Sequence, residues 1–285
     1  MTKPDKIGSN MLSFDTEEWF HANYDNINPD LFRGQGSNFR AQMDTLLQLC
    51  SDTGSRATFF VLGCVGEDYP DVVKAIAQQG HDVASHGYGH QLAYQQTYDE
   101  FKADVKKSVS ILEDITGSKV QGYRAPSWSI IESNLHYLAA LEELGLTYDA
   151  SIFPVKTFLY GIPTAPTEIH QPRVNNRMLN LYEVPTSVVK LFGKNIGFSG
   201  GFYFRFFPTF LIKHAILAAN RQDRSCIVYL HPREIDPTER RLRLPHLESF
   251  IHYCNIDSTK AKLQAIMQSF QFTSIAEHLR GKVYP

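Results

Sequence analysis

ATFFVLGCVGEDYPDVVKAIAQQGHDVASHGYGH, residues 57–90, reads as strand, helix, strand and then a histidine pair. Ala57–Leu62 is a short apolar run with aromatic and β-branched residues, the composition of a buried strand. Asp68–Gln79 places its apolar residues at three- and four-residue steps, the spacing of one helical face. Gly80 falls where that helix should stop. His81–Ser85 is a second strand, and it runs straight into His86-Gly87-Tyr88-Gly89-His90.

The same alternation extends to both sides. Strand-like runs are Met11–Asp15 and Gln121–Tyr123, and helix-like runs are Phe39–Thr53, Tyr98–Thr116 and Ser133–Leu144. In Tyr98–Thr116 the apolar stripe is Phe101, Val105, Val109 and Leu112. Gly54, Gly117 and Gly145 mark the other helix ends. Strand-helix repetition of this kind predicts a parallel sheet or an α/β barrel. Residues 150–210 differ, being rich in Pro, Gly and aromatics, with a strand at Leu181–Val189 and the run Gly200-Gly201-Phe202-Tyr203-Phe204. They read as an insertion covering one face of the barrel. Order then returns with a helix over Thr209–Asn220, a buried strand over Cys226–Leu230, a helix over Thr259–Ser269 and a last strand over Phe272–Ile275. No linker or repeat divides the chain, so one domain over 1–285 is expected.

The chain has 285 residues, 43% hydrophobic, enough to bury a large core. With 28 Lys and Arg against 30 Asp and Glu, the net charge is -2, which gives no basic surface for a nucleic-acid polymer. Cys50, Cys64, Cys226 and Cys254 form no CxxC pair, so they read as reduced, mostly buried thiols. Met1–Asn10 is polar and lacks the apolar core of a secretory signal. Ala57–Val65 is far too short to span a bilayer. A cytoplasmic protein without a membrane span is the expectation.

Chemistry gathers at the strand ends. Asp15 and Glu17 alternate with Thr16, so they share one face, about 6–7 Å apart at the backbone, while Glu18 points the other way. His86 and His90 would share one face if Gly87–Gly89 continued as helix, and two such imidazoles can hold a divalent metal. Arg124 ends the fourth strand, and Pro126 biases Ala125 to extended geometry. His231 follows Cys226–Leu230 directly. Each group alone has an ordinary reading: surface histidines, a solvated acidic loop, a surface arginine, a structural histidine. In α/β barrels the C-terminal strand ends form the active-site face, and the common arrival of all these groups there points to a metal site.

With these motifs in order, the chain resembles the polysaccharide deacetylase family, carbohydrate esterase family 4, over roughly residues 10–275. The acidic pair is Asp15 with Glu17. The histidine motif is Ser85-His86-Gly87-Tyr88-Gly89-His90, the R-x-P motif is Arg124-Ala125-Pro126 with Trp128 beyond, and the final motif is Leu230-His231. Longer strings, DTEEWF (15–20), YRAPSWSI (123–130), YDASIFP (148–154), GGFYFR (200–205) and LHPREID (230–236), are similar to a subgroup associated with bacterial exopolysaccharide or surface glycans. Many family members have adjacent aspartates in the first motif. Here Thr16 takes that place, and Glu17, with Glu18 as the alternative, stands in for the metal ligand.

The resemblance implies a distorted (β/α)7-type barrel and a metal-dependent N-deacetylase. Glu17, His86 and His90 would hold a divalent metal, Zn first and Co, Ni or Fe as alternatives. Asp15 would be the general base, Arg124 its charged neighbour and His231 the acid for the departing amine, oriented by Glu234 or Asp236. A backbone N–H after Tyr123 or Ser127 would assist at the oxyanion. Trp19, Tyr88, Trp128 and Tyr203 are candidates for sugar stacking. Arg205 is a candidate for a nucleotide phosphate or an acidic sugar. The implied partner is an N-acylated amino sugar, nucleotide- or lipid-linked. An N-formyl sugar or cyclic amide, or glycan binding without catalysis, are the alternatives.

Overall fold

A computed structural model describes residues 7–23, 29–157 and 160–284. Eight strands build the main sheet: β1 (Ile7–Thr16), β2 (Thr58–Val61), β3 (Asp82–Ser85), β4 (Gly122–Tyr123), β5 (Tyr148–Asp149), β6 (Tyr182–Glu183), β7 (Ile227–Leu230) and β8 (Phe270–Thr273). They run in the order β7-β1-β2-β3-β4-β5-β6, all parallel, with β8 beside the first half of β1. The result is a curled, distorted (β/α)7-type barrel.

Between β6 and β7 the ladder is interrupted, and residues 187–200 fill the gap. Ile227 N–H donates to Ser187 Oγ at 2.8 Å and Tyr229 N–H to Ser199 O at 3.1 Å. Gly200 bridges to Tyr229, and a Cβ there would sit 2.1 Å from the Tyr229 ring, so only glycine admits that approach. The 150–210 region is therefore not simply an insertion over one face. It contributes β6 and this closing segment, together with antiparallel hairpins at 173–178 and 188–197.

Ten α-helices are described: α1 (Phe39–Thr53), α2 (Gly63–Asp68), α3 (Pro70–Gln78), α4 (Tyr98–Thr116), α5 (Leu138–Glu143), α6 (Gly201–Phe206), α7 (Thr209–Asn220), α8 (His246–Tyr253), α9 (Ile256–Ser269) and α10 (Ile275–Leu279). The bounds of α1, α4 and α7 match the sequence reading. In α4, Thr97 and Glu100 form a reciprocal capping box at the start. The expected helix over Asp68–Gln79 is broken at Tyr69-Pro70, since proline opens a helix better than it continues one. The last strand ends at Thr273, because Ser274 caps α10.

Alternation along β1 sorts two layers. Leu12 and Phe14 face the helices and join Phe39, Met43 and Leu46 in the main core. Met11 faces the barrel interior with Phe60, Ala84, Tyr148 and Ile227. Asp15 lies in the same series as Met11, so apolar burial of the outer layer is what aims the carboxylate inward. Each fully buried Phe or Leu of that layer adds about 1.5–3 kcal/mol.

Candidate active site

Asp15 ends β1 and is 2% exposed, a placement that needs a charged partner. Arg124, just past β4, supplies it: Nη1 lies 2.6 Å from Asp15 Oδ1 and 3.0 Å from Ser13 Oγ. The guanidinium is fixed by Nε–H to Ala150 O at 3.2 Å and by the Phe60 ring, 4.1 Å from Cζ. Behind it, buried Asp149 and Glu183 lie side by side at the ends of β5 and β6. Burial raises the pKa of both, and in Glu183 the Asp149 charge adds to that effect.

His86 follows β3, but Gly87–Gly89 is not helical. Gly87 has φ +78 and His90 φ +58, so a left-handed turn swings His90 back beside His86. A Cβ on Gly87 would lie 2.8 Å from Asp104 Oδ2, the atom that accepts the Tyr88 N–H. The sequence reading of this pair as one face of a helix is thus corrected: a glycine-enabled loop brings the rings to 5.4 Å.

Glu17, His86 and His90 place their ligand atoms within 4.8 Å of one another, all buried. Glu17 Oε2 is 2.7 Å from His90 Nε2 and 4.0 Å from His86 Nε2. His86 Nδ1 lies 2.8 Å from the Arg124 carbonyl, which can only accept, so that nitrogen carries the proton and Nε2 carries the lone pair. Burial lowers the His86 pKa to about 4, keeping the ring neutral. His90 Nδ1 faces Asn23 Oδ1 at 3.3 Å, which turns its Nε2 to Glu17 in the same way. Glu17 Oε2 has no hydrogen-bond partner. With His86 Nδ1 on the Arg124 carbonyl and His90 Nδ1 on Asn23 Oδ1, the Nε2 atoms and Glu17 Oε2 converge, and this donor set fits a divalent metal. Glu18 is elsewhere: its Oε1 accepts from Tyr69 OH at 2.7 Å, so of the two glutamates only Glu17 joins the histidines.

His231 faces the same point from β7, its Nε2 3.8 Å from Asp15 Oδ2 and 3.7 Å from Glu17 Oε1. Nδ1 lies 2.8 Å from Glu234 Oε2. Burial opposes charge on this ring, but the Glu234 charge and hydrogen bond outweigh it and the His231 pKa is raised. Glu234 is itself buried. Despite that burial its pKa is lowered, Arg205 and His231 being the charges that hold it ionised. The anchor is Arg205, whose Nε–H reaches Glu234 Oε1 at 2.6 Å while its Nη groups donate to Cys254 O and Ile251 O.

These groups open into a cavity of about 760 Å³, with Trp128, Tyr160, Phe202 and Tyr203 on its wall. The sequence of residues 17–148 matches the family described as polysaccharide deacetylase. Over that stretch, just under half of its length, the chain is similar to the polysaccharide deacetylase family. A second family, described only as a domain of unknown function, matches residues 150–280. A peptidoglycan deacetylase of Helicobacter pylori is 32% identical over 45% of this chain and 41% of its own length. The chain spans less than half the length of the curated relatives it matches first. Among solved structures, one from Mycobacterium smegmatis assigned to the polysaccharide deacetylases covers 100% of this chain and 94% of its own, with TM-score 0.63 and 19% identity. An allantoinase covers 96% and 90%, with TM-score 0.61 and 15% identity. At these identities the structures share the fold alone.

Several sequence expectations for this site are corrected by the geometry. Trp19 does not reach the cavity; it packs on Phe20 and Phe32 under Arg240. Tyr88 turns outward, its hydroxyl on Glu67 and its ring under Lys107 Nζ at 3.2 Å. Arg205 is buried on Glu234 and does not line the cavity, so it acts behind His231. Asp236 accepts from Asn38 and Gln42 rather than from His231. The backbone N–H groups of Arg124 and Trp128 are already donated to Ser85 O and Ala125 O, which removes both oxyanion candidates. Trp128 and Tyr203 do line the cavity. Lys156, Tyr160, Phe202 and Arg233 join them there, unmarked in the sequence reading although Arg233 sits inside the LHPREID string. Arg233 donates Nη1–H to His252 at 2.9 Å, and its buried Nε–H has no partner.

Proposed function

We propose that this chain is a divalent-metal-dependent hydrolase that removes the N-acetyl group of an amino sugar in bacterial polysaccharide or surface-glycan assembly. The observation that carries the reading is the convergence of Glu17, His86 and His90 beside Asp15 and His231. A divalent metal, Zn first and Co, Ni or Fe as alternatives, would be held by Glu17, His86 and His90 and would supply Lewis-acid polarisation of the acyl oxygen and a lower pKa for water.

The chain's own groups divide the proton work. Asp15 Oδ2, on the cavity side, takes the proton of the attacking water, while Oδ1 stays on Arg124. His231 Nε2–H gives its proton to the sugar nitrogen as the C–N bond breaks, and Glu234 steadies the charged ring before that step. Acetate and a free amine leave. Trp128, Tyr160 and Tyr203 offer rings to the apolar faces of the sugar, and the buried, unpartnered Trp128 Nε1–H offers a donor to one of its oxygens. Arg233 and Lys156 put two cations on the wall, which favours a sugar carried on phosphate.

The test is release of acetate or formate from a panel of N-acyl sugars, free, nucleotide-linked and lipid-linked, by metal-loaded protein. Acetate release that is lost on chelation and restored by Zn supports the reading. A purified protein that binds no stoichiometric metal and is activated by none refutes it.

A further inference from the structure

Among the described residues, half of the large apolar side chains left in solvent fall on three helices close in sequence, while Leu31, Met178, Leu191, Phe192 and Val283 lie elsewhere. Phe206, Phe210, Leu211, Leu247 and Phe250 are 47%, 68%, 43%, 70% and 51% exposed, and all lie on α6, the first turn of α7 or α8. Phe206 and Phe250 both meet Phe202, with ring centroids 5.3 and 5.9 Å away, so α6 and α8 form one aromatic ridge. Phe202 also lines the cavity of Asp15, Glu17 and His231, which places the ridge at its mouth. Contiguous exposed apolar side chains rimmed by polar residues mark an interaction site.

Its flank is basic. Arg240, Arg241 and Arg243, all exposed, lead directly into α8. Lys213 and His214 stand three and four residues beyond Phe210, on the same side of α7. We infer that this face docks on an anionic lipid surface, its phenylalanines entering the acyl boundary and its arginines meeting the headgroups, with the cavity mouth turned to the bilayer. The chemistry is that of an interfacial amphipathic surface. No helix among the described residues is long and apolar enough to cross the membrane, so the contact is a surface one. A second copy of the chain is disfavoured as the occupant, because a two-fold contact would bring each arginine flank near its equivalent. Resting on the deacetylase reading for the headgroup, the inference narrows the substrate to an N-acyl amino sugar held at a membrane by a lipid phosphate.

The experiment is co-sedimentation of the full chain with phosphatidylcholine vesicles, with and without phosphatidylglycerol. Wild-type protein is expected to bind the mixed vesicles, more weakly as salt rises, and pure phosphatidylcholine little. The double variant Phe206→Ser/Phe250→Ser should lose at least about tenfold in partitioning, and Arg241→Glu/Arg243→Glu a similar amount, with unchanged circular dichroism and unchanged acetate release from a soluble substrate. Wild-type protein that ignores anionic vesicles overturns the inference. So does a dimer, seen by ultracentrifugation, that the Phe206→Ser/Phe250→Ser variant dissolves. If vesicles bind but no N-acyl sugar is ever hydrolysed, docking stands and the deacetylase reading fails.

Discussion

The two sides of the site are held by different physics. Glu17, His86, His90, Asp15 and Arg124 arrive from the ends of β1, β3 and β4, and a few short ties fix them: Arg124 O to His86, Asn23 to His90, Ser13 and Ala150 to Arg124. His231 is held by Glu234, and Glu234 depends on Arg205, which is tied in turn to the carbonyls of Ile251 and Cys254 at the end of α8. The first side is local to its strands. The second is a relay of three charges crossing from β7 to α6 and α8. Removing a ligand from the first side should therefore cost chemistry, whereas breaking the relay should cost chemistry and folding together.

The largest effect expected is on the first side. His86→Ala removes one of three ligands, so metal measured by mass spectrometry should fall from stoichiometric to near zero, with turnover down on the order of 10³-fold or more. Asp15→Asn should keep its metal and lose about 10²–10⁴-fold in kcat, as for a removed general base. Metal loss in Asp15→Asn would make Asp15 a ligand, and retained turnover would remove its role as base.

The relay is next. Arg205→Met leaves Glu234 charged and buried without its guanidinium, at a cost of about 3–5 kcal/mol, visible as a lower denaturation midpoint. Glu234→Gln removes the charge that raises the His231 pKa. A raised histidine pKa is stability present below the ordinary imidazole range and lost as pH rises through the raised value. The stability lost in Glu234→Gln should then be largest in mildly acidic buffer and shrink above neutrality, and the alkaline limb of the pH–rate profile should move to lower pH. A profile whose limb stays in place in Glu234→Gln would show that His231 is not the acid.

The same contrast explains what the sequence disclosed. Helix caps and apolar periods are local signals, so α1, α4 and α7 were legible to the residue, as were the strand ends that carry Asp15, Arg124 and His231. The conformation of His90 was not, because a left-handed residue after Gly87 leaves no periodic trace. Neither was the role of Arg205, whose partners Glu234, Ile251 and Cys254 lie 29 to 49 residues away in the chain. The strand expected over Leu181–Val189 is there but shortens to the two residues of β6, which pair with β5 and bridge His170. Aromatic direction was the least legible property. Four rings near four motifs looked equivalent, and packing against α2 and α4 or against Phe32 took two of them away from the cavity.

That last point gives the smallest effect. Tyr203 lines the cavity, half-buried and packed against Phe153, and Tyr88 lies on the outer surface with Glu67 and Lys107. An aromatic contact is worth roughly 0.5–1.5 kcal/mol beyond its buried area. Tyr203→Ala should therefore raise KM by about three- to tenfold for a sugar substrate while kcat changes little, since stacking on a remote ring face binds ground and transition states alike. Tyr88→Phe removes only a hydroxyl from an exposed hydrogen bond and should leave KM, kcat and metal content as they were. If the two variants instead behaved alike in KM, the sugar would not be lying against the Tyr203 ring.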